Sequence, residues 1–279
     1  PDPEFAAAND ERSWLALKSQ GGEVTASVGG VIEADVTEVE AKLNKGYGEL
    51  GRAGNSTIVD FKSSFETAPD AADGILAVDS GGTGAGARFT LDFDAEVLEF
   101  KASASLEIGG FFYASGAFAF QSGGSRLVTL TTGEQVTVSV EQLGFGNGQA
   151  FVGVNGPYRN EDGSTNDAAM GFALEGVNFA LLQMDAEEAD GRSWFGLLAT
   201  AARATSVGMG GFGFAIENVT IKINGGKNAA GAALDDVVDF GVSFAAGQVV
   251  IDTGGVDGEN NPVQLTVDYD GALARVLGT

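Results

Sequence analysis

The chain has 279 residues, with 39 acidic against 15 basic side chains and a formal net charge of −24. Such a surface repels phosphate backbones and anionic lipids, so no nucleic acid is expected as a partner. With no run of 18 apolar residues, no membrane insertion is expected either. The absence of both cysteine and histidine excludes disulfides, thiol nucleophiles, Ser-His-Asp catalysis and zinc sites built on those residues.

Glycine is frequent (43) and proline scarce (5), and the glycines show no three-residue period. This composition suits many tight turns between strands and not collagen. In chain order, the opening PDPEF (residues 1–5) reads as protease-site and cloning-site residues, with native sequence beginning near Ala6. The stretch ERSWLALKSQGGEVTASV from Glu11 then alternates as a strand. EVEAKLNKGYGEL from Glu38 has the propensity of a helix. Its counterpart later in the chain, NVTIKINGGKN, has the step-two alternation of a strand, and equivalent segments share a structure, so both are predicted as strands.

Those counterparts are the chief landmark. GRSWFGLLATAARATSV from Gly191 matches the first tryptophan segment, Trp194 lying 180 positions after Trp14. VDFKSSF from Val59 matches VDFGVSF from Val238 at 179, AVDSGG from Ala77 matches VIDTGG from Val250 at 173, and FTLDFD from Phe89 matches LTVDYD from Leu265 at 176. The offset drifts only between matched strands, where loop insertions belong. The chain therefore reads as about one and a half copies of a ~180-residue unit. Residues 6–103 form the C-terminal part of one copy, and residues 104–279 the linking strands and most of the next. A finer pattern of strand, polar break, strand is expected around Val36, Asp94, Val140, Leu174, Ile216 and Tyr269.

GGFFYASGAFAFQSGG from Gly109 is apolar at both strand parities, with a break at Ser115-Gly116, and is expected between layers. Trp14 and Trp194 occupy equivalent positions, beside Leu17 and Leu197, and are expected to fill equivalent core sites. Calcium is the cofactor that the composition suits, because it takes oxygen ligands from Asp, Asn and backbone carbonyls in loops. The candidate ligands are Asp162, Asn166 and Asp167 in NEDGSTND, and Asp252, Asp257 and Asn260 in DTGGVDGENN; DAEEAD from Asp185 is a further candidate loop. None has EF-hand spacing, and Asp, Asn and Gly also make turns by themselves. GGTGAGARF from Gly81 resembles a calcium-binding nonapeptide but has Gly86 and Arg88 where that motif needs an aspartate and an apolar residue. Asp92, Asp94 and Glu96, the first two echoed by Asp268 and Asp270, could in principle serve glycoside hydrolysis, with Asp92 and Asp94 on one strand face. A solvated polar face accounts for them more simply, and no catalytic residue is expected.

In style across its whole length, the acidic, cysteine-free, glycine-punctuated repeat resembles the repeat regions of giant secreted and surface proteins of Gram-negative bacteria, the RTX-adhesin-like proteins. The resemblance implies an extracellular or cell-surface location and a place in a stalk. The expected fold is all-β, an elongated β-solenoid-like or continuously stacked sheet, with tandem β-sandwiches as the alternative. The expected function is a structural extender whose partners are neighbouring repeats of the same chain. The alternatives are a calcium-dependent module binding glycan or a cell surface, and a carbohydrate-active enzyme.

Overall fold

The computed structural model describes residues 12–28, 31–47, 57–65, 75–83, 88–160, 162–188, 190–211 and 213–279. The fold is all-β in class. In chain order the strands are β1 (Ser13–Gln20), β2 (Glu23–Val28), β3 (Ile32–Tyr47), β4 (Leu76–Asp79), β5 (Arg88–Leu91), β6 (Val97–Ile108), β7 (Phe112–Thr129), β8 (Gln135–Val154), β9 (Met170–Ala186), β10 (Ser193–Val207), β11 (Ala215–Lys227), β12 (Ala233–Leu234), β13 (Val249–Val256), β14 (Pro262–Val267) and β15 (Leu273–Leu277). Two single-turn helices, α1 (Phe61–Ser64) and α2 (Phe240–Ser243), interrupt them. Eleven strands form one open antiparallel sheet in the order β1-β3-β6-β7-β8-β9-β10-β11-β12, with β2 also on β3 and β15 also on β11. Hairpins β4–β5 and β13–β14 stand apart from it. The segment with the propensity of a helix, from Glu38, is strand as far as Tyr47, in β3, and its counterpart is β11.

The chain divides into two compact units, one of Pro1–Gln20 with Glu40–Phe100, the other of Gly21–Val39 with Lys101–Thr279. Within the first unit, Trp14 stands opposite Gly46 and Leu17 opposite Leu43. The Trp14 indole donates to the Thr57 carbonyl at 3.1 Å, and the Asn44 amide donates to the carbonyls of Val59 and Ala95, both at 2.9 Å. The Phe61 amide reaches the Phe93 carbonyl at 2.8 Å. The second unit repeats every one of these bonds. Trp194 stands opposite Gly226 and Leu197 opposite Ile223. The Trp194 indole donates to Asp236 at 2.9 Å, Asn224 to Val238 and Gly271, both at 3.0 Å, and Phe240 to Tyr269 at 2.8 Å. The partners are displaced by the same 180, 179 and 176 positions as the sequence matches. The counterpart of β10 in the first copy is β1 and β2 together, interrupted at Gly21-Gly22, and the counterpart of β15 is the first part of β6.

In the second unit a core of Val128, Leu130, Val136, Val138, Val140, Ala180, Leu182, Met184 and Trp194 is closed by Val237, Val238, Phe240, Ile251, Val267 and Tyr269. The segment after β11 thus folds back as a second layer. Its approach is close: a Cβ on Gly144 would lie 1.9 Å from the Asp252 carbonyl oxygen, so β8 needs glycine there. Burial together with the neighbouring Asp268 pushes the Tyr269 phenol up to about 12, and its hydroxyl donates to the Leu197 carbonyl at 2.8 Å.

The fold corrects three expectations. Trp194 is fully buried, but Trp14 is 43% exposed and Leu17 46%, so the tryptophans are equivalent in hydrogen bonding and not in burial. The stretch from Gly109 is half-buried along most of its length, and Phe111 is exposed; its break is a register shift between Ser115 and Ala117. Four of the six expected polar breaks lie inside continuous strands, β3, β8, β9 and β11. Each of those strands instead carries one left-handed residue: Glu38 (φ 54°), Asn147 (54°), Gly176 (60°) and Asn218 (53°). Gly176 lies across from Ala202, and Ala202 across from Asn218, so these residues form a row over adjacent strands. Each resets the side-chain alternation: β8 buries Val136, Val138 and Val140 on one side of the row and Phe151 on the other. The breaks near Asp94 and Tyr269 do separate strands.

The two asparagine clamps generate a direct test. Asn224→Ala removes the donor from one buried and one half-buried carbonyl, and a buried group left without a partner costs about 1–3 kcal/mol. Urea unfolding is expected to show a loss of about 2 kcal/mol for Asn224→Ala and a smaller loss for Asn44→Ala, whose Ala95 acceptor is in an exposed residue, whereas Lys222→Ala on the same strand as Asn224 stays near wild type.

Candidate functional site

The candidate site is a cleft of about 570 Å³ within the second unit. Five neighbouring strands build it. β3 supplies Glu33 and Asp35, β6 supplies Glu107, β7 supplies Tyr113, β8 supplies Gln149 and Phe151, and β9 supplies Leu174. The wall is the loop between β8 and β9, with Tyr158 and Arg159. Phe151 is buried with Ala169 and Ala173, and Tyr113 and Tyr158 pack on that cluster. Tyr113 and Phe151 lie tilted with ring centroids 6.2 Å apart. Burial first, and Glu107 second, raises the Tyr113 phenol above its ordinary range.

The loop is held by its own polar residues. The Arg159 guanidinium grips Glu175 of β9, with Nε–Oε1 at 2.7 Å and a second bond from Nη2, donates to Thr165 at 3.0 Å, and lies over the Tyr158 ring at 5.1 Å. The hydrogen bond to Glu175 holds Arg159 even more firmly protonated than usual. Asn166 donates to the carbonyls of Asn155 (2.7 Å) and Pro157 (2.9 Å) and accepts from the Ala168 amide at 3.0 Å. The Asn160 amide bonds Ser164 O at 3.0 Å, closing a small turn. With its one cation committed to Glu175, the cleft presents three carboxylates, two phenols and an aromatic floor. That set suits hydroxyl-rich or positively charged ligands over anions.

Of the six calcium candidates five stand in loops and turns, and Asp252 lies within β13. Asp162 accepts from the Ser164 amide at 2.9 Å, which lowers its carboxyl pKa. Asn166 is the loop brace just described, and Asp167 is exposed. Asp252 accepts from the Gly254 amide at 2.8 Å and pairs with Lys101 at 2.6 Å. Asp79, its counterpart in the other copy, accepts from Gly81 at the same 2.8 Å, so this is repeated turn chemistry. Asp257 accepts from the amides of Glu259 and Asn261, both at 2.9 Å, which lower its pKa, and Asn260 takes the left-handed position of that turn (φ 66°). Among the described residues no three acidic side chains converge so as to hold a metal ion. Asp185 and Asp190 flank the third candidate loop, where Asp190 binds Arg192. Gly84 and Gly86 of the glycine-rich string and residues 1–5 lie outside the described residues.

The carboxylates considered for hydrolysis are each met by a lysine. Asp94 pairs with Lys62, Asp92 with Lys18 at 3.5 Å and Glu96 with Lys45 at 3.7 Å. Asp92 and Asp94 follow the end of β5 and so do not share a strand face. Asp268 and Asp270 are exposed.

The sequence reading missed the cleft. The apolar pattern from Gly109 places Tyr113 in a core stretch, and alternation singles out neither Tyr158 nor Arg159. The available signal was GPYRN itself, an aromatic beside a cation within a turn. Comparison with known proteins gave no match to a family model, a curated protein or a solved structure.

If Arg159 anchors the loop through Glu175, Arg159→Met leaves a half-buried carboxylate without its partner. Hydrogen exchange is expected to accelerate at the amides of Asn160, Gly163 and Asn166 while β8 and β9 keep their protection. The loss in overall stability is expected to be about 1–2 kcal/mol.

Proposed function

We propose that this chain is a structural repeat module, an extender segment of a long acidic protein outside the cell or on a bacterial cell surface, whose partners are neighbouring copies of the same ~180-residue unit. One observation carries the reading: the Trp–Asn–Phe hydrogen-bond frame recurs bond for bond in both copies. The carboxylates that recur with it serve as turn acceptors (Asp79 and Asp252), as ion-pair partners (Asp92 and Asp94) or stand exposed (Asp268 and Asp270). A function served by the repeated part is one served by the backbone frame, and stacking of such units is what repeat architectures use to build length. The continuously stacked sheet is the preferred form of that array, and the frequent acidic side chains keep it soluble. Chains of one, two and three joined repeats, measured by small-angle X-ray scattering, are expected to lengthen by a constant increment per repeat. A maximum dimension that levels off would sink the stalk reading.

The cleft favours a second reading, a glycan-binding module, because aromatic faces beside carboxylate and amide acceptors suit the faces and hydroxyls of neutral sugars. Unlike the frame, the cleft occurs once among the described residues, with Glu33 and Asp35 from the first copy and its other lining residues from 104–279, so binding would be an addition to the repeat. A glycan array, run with calcium and with chelator, is expected to return neutral over acidic sugars. Tyr113→Ala and Tyr158→Ala are expected to weaken the best hit about tenfold. Unchanged affinity in both variants would remove the cleft from the argument.

A further inference from the structure

The two copies of the frame differ in one respect that points to a missing neighbour. β10 is paired on both edges: with β11, and with β9 in a register that sets Trp194 opposite Met184, Leu197 opposite Leu181 and Thr200 opposite Asn178. Its counterpart β1 is paired with β3, and among the described residues its other edge is open. The buried core around Trp194 takes Ala180, Leu182 and Met184 from β9, all fully buried. Among the described residues those side chains have no counterpart beside Trp14, which is 43% exposed, and Leu15 and Leu17 on the other face of β1 are 45 and 46% exposed. An edge strand carrying three exposed large apolar side chains is an open pairing template, of the kind that natural sheets cover.

We infer that the free edge of β1 is a docking edge for a strand of the β9 type from a neighbouring repeat. That strand runs antiparallel to β1, in the register that sets its counterpart of Met184 opposite Trp14 and its counterpart of Leu181 opposite Leu17. The inference rests on the repeat-module reading and names the surface through which one repeat meets the next. The recognition is main-chain hydrogen bonding along the edge, with specificity from the apolar row that Ala180, Leu182 and Met184 supply. Antiparallel pairing through a short turn is already what joins β9 to β10, so the same local connection serves at the junction. A repeat then contributes six strands to the sheet, the counterparts of β1 with β2, β3, β6, β7, β8 and β9.

The test supplies the strand. A copy of residues 168–189 is placed directly ahead of Asp10 in the full chain, replacing residues 1–9. Acrylamide quenching of the Trp14 fluorescence, taken as the difference between each chain and its Trp14→Phe variant, is expected to fall to the level of a buried indole. Exchange of the outward amides of Ser13–Gln20 is expected to slow by about tenfold or more. The same extension carrying A180D, L182D and M184D in the copied strand is expected to leave Trp14 exposed. Should the extended chain not fold, as read by circular dichroism, a synthetic peptide of residues 170–187 added to the unmodified chain serves instead, with the same two readouts. A folded extended chain whose Trp14 remains open to quencher overturns the inference, as does a peptide that gives no protection at β1. The stalk reading fails separately, since it needs only a constant increment per repeat. Edge pairing further sets that increment by six strands about 4.8 Å apart, or about 29 Å.

Discussion

The second unit depends on a single buried amide. Asn224 projects from β11 into the interior and donates one hydrogen to the segment entering α2 and the other to the segment leaving Tyr269. Between those two carbonyls runs all of α2 and the β13–β14 hairpin, so one side chain fixes both ends of the layer that covers the sheet. An apolar residue at this position would fill the space and leave one buried and one half-buried carbonyl without this donor, at the cost of unpaired polar groups. The Asn44 amide does the same in the first unit. In both copies the amide oxygen is buried without a hydrogen-bond partner among the described residues, so the asparagine is held there for its two donors.

The clamp makes the tryptophan position intelligible. Its indole N–H donates to a backbone carbonyl just ahead of the clamped segment, so Trp14 and Trp194 latch the same chain return from the opposite side. The bond depends only on the local frame and survives in both copies. Burial of the ring depends on strands further along the sheet and differs. Hydrogen bonding and hydrophobic cover are thus separable here: one is intrinsic to the copy, the other is a property of its neighbours.

What the sequence made legible follows this division. The strands of the frame, the 180-residue correspondence and its loop drifts were readable because alternation and repetition are local signals. Equal burial of Trp14 and Trp194 was not, because it depends on β9, which precedes one of them and has no described counterpart before the other. The left-handed residues of β8, β9 and β11 resemble turns in composition, since asparagine and glycine favour positive φ in either setting, and Glu38 of β3 carries no such signal. Only the pairing of adjacent strands shows that the ladder continues through them. Oxygen-rich loops suggested calcium because turn chemistry and calcium chemistry draw on the same side chains. The repeated Asp79–Gly81 and Asp252–Gly254 bonds show the backbone using those oxygens first. The cleft was illegible for a topological reason: its residues come from five strands and a loop whose adjacency only the folded sheet creates.

The row of left-handed residues also explains how a β-repeat can carry a distinct site without giving up its frame. On one side of the row the alternation buries the valines of β8 beneath the β13–β14 layer. On the other it is reset, and Phe151 becomes the inward residue, with Tyr113 and Tyr158 packed on it. Each strand from β8 to β11 therefore serves two faces of different composition. The end governed by the Asn224 clamp is constrained by a bond network that recurs in each copy. The end beyond the row is constrained by a smaller cluster and by one ion pair, Arg159–Glu175. Substitutions there leave the clamp untouched, so a repeat of this kind can vary its cleft while the bonds of the frame stay fixed.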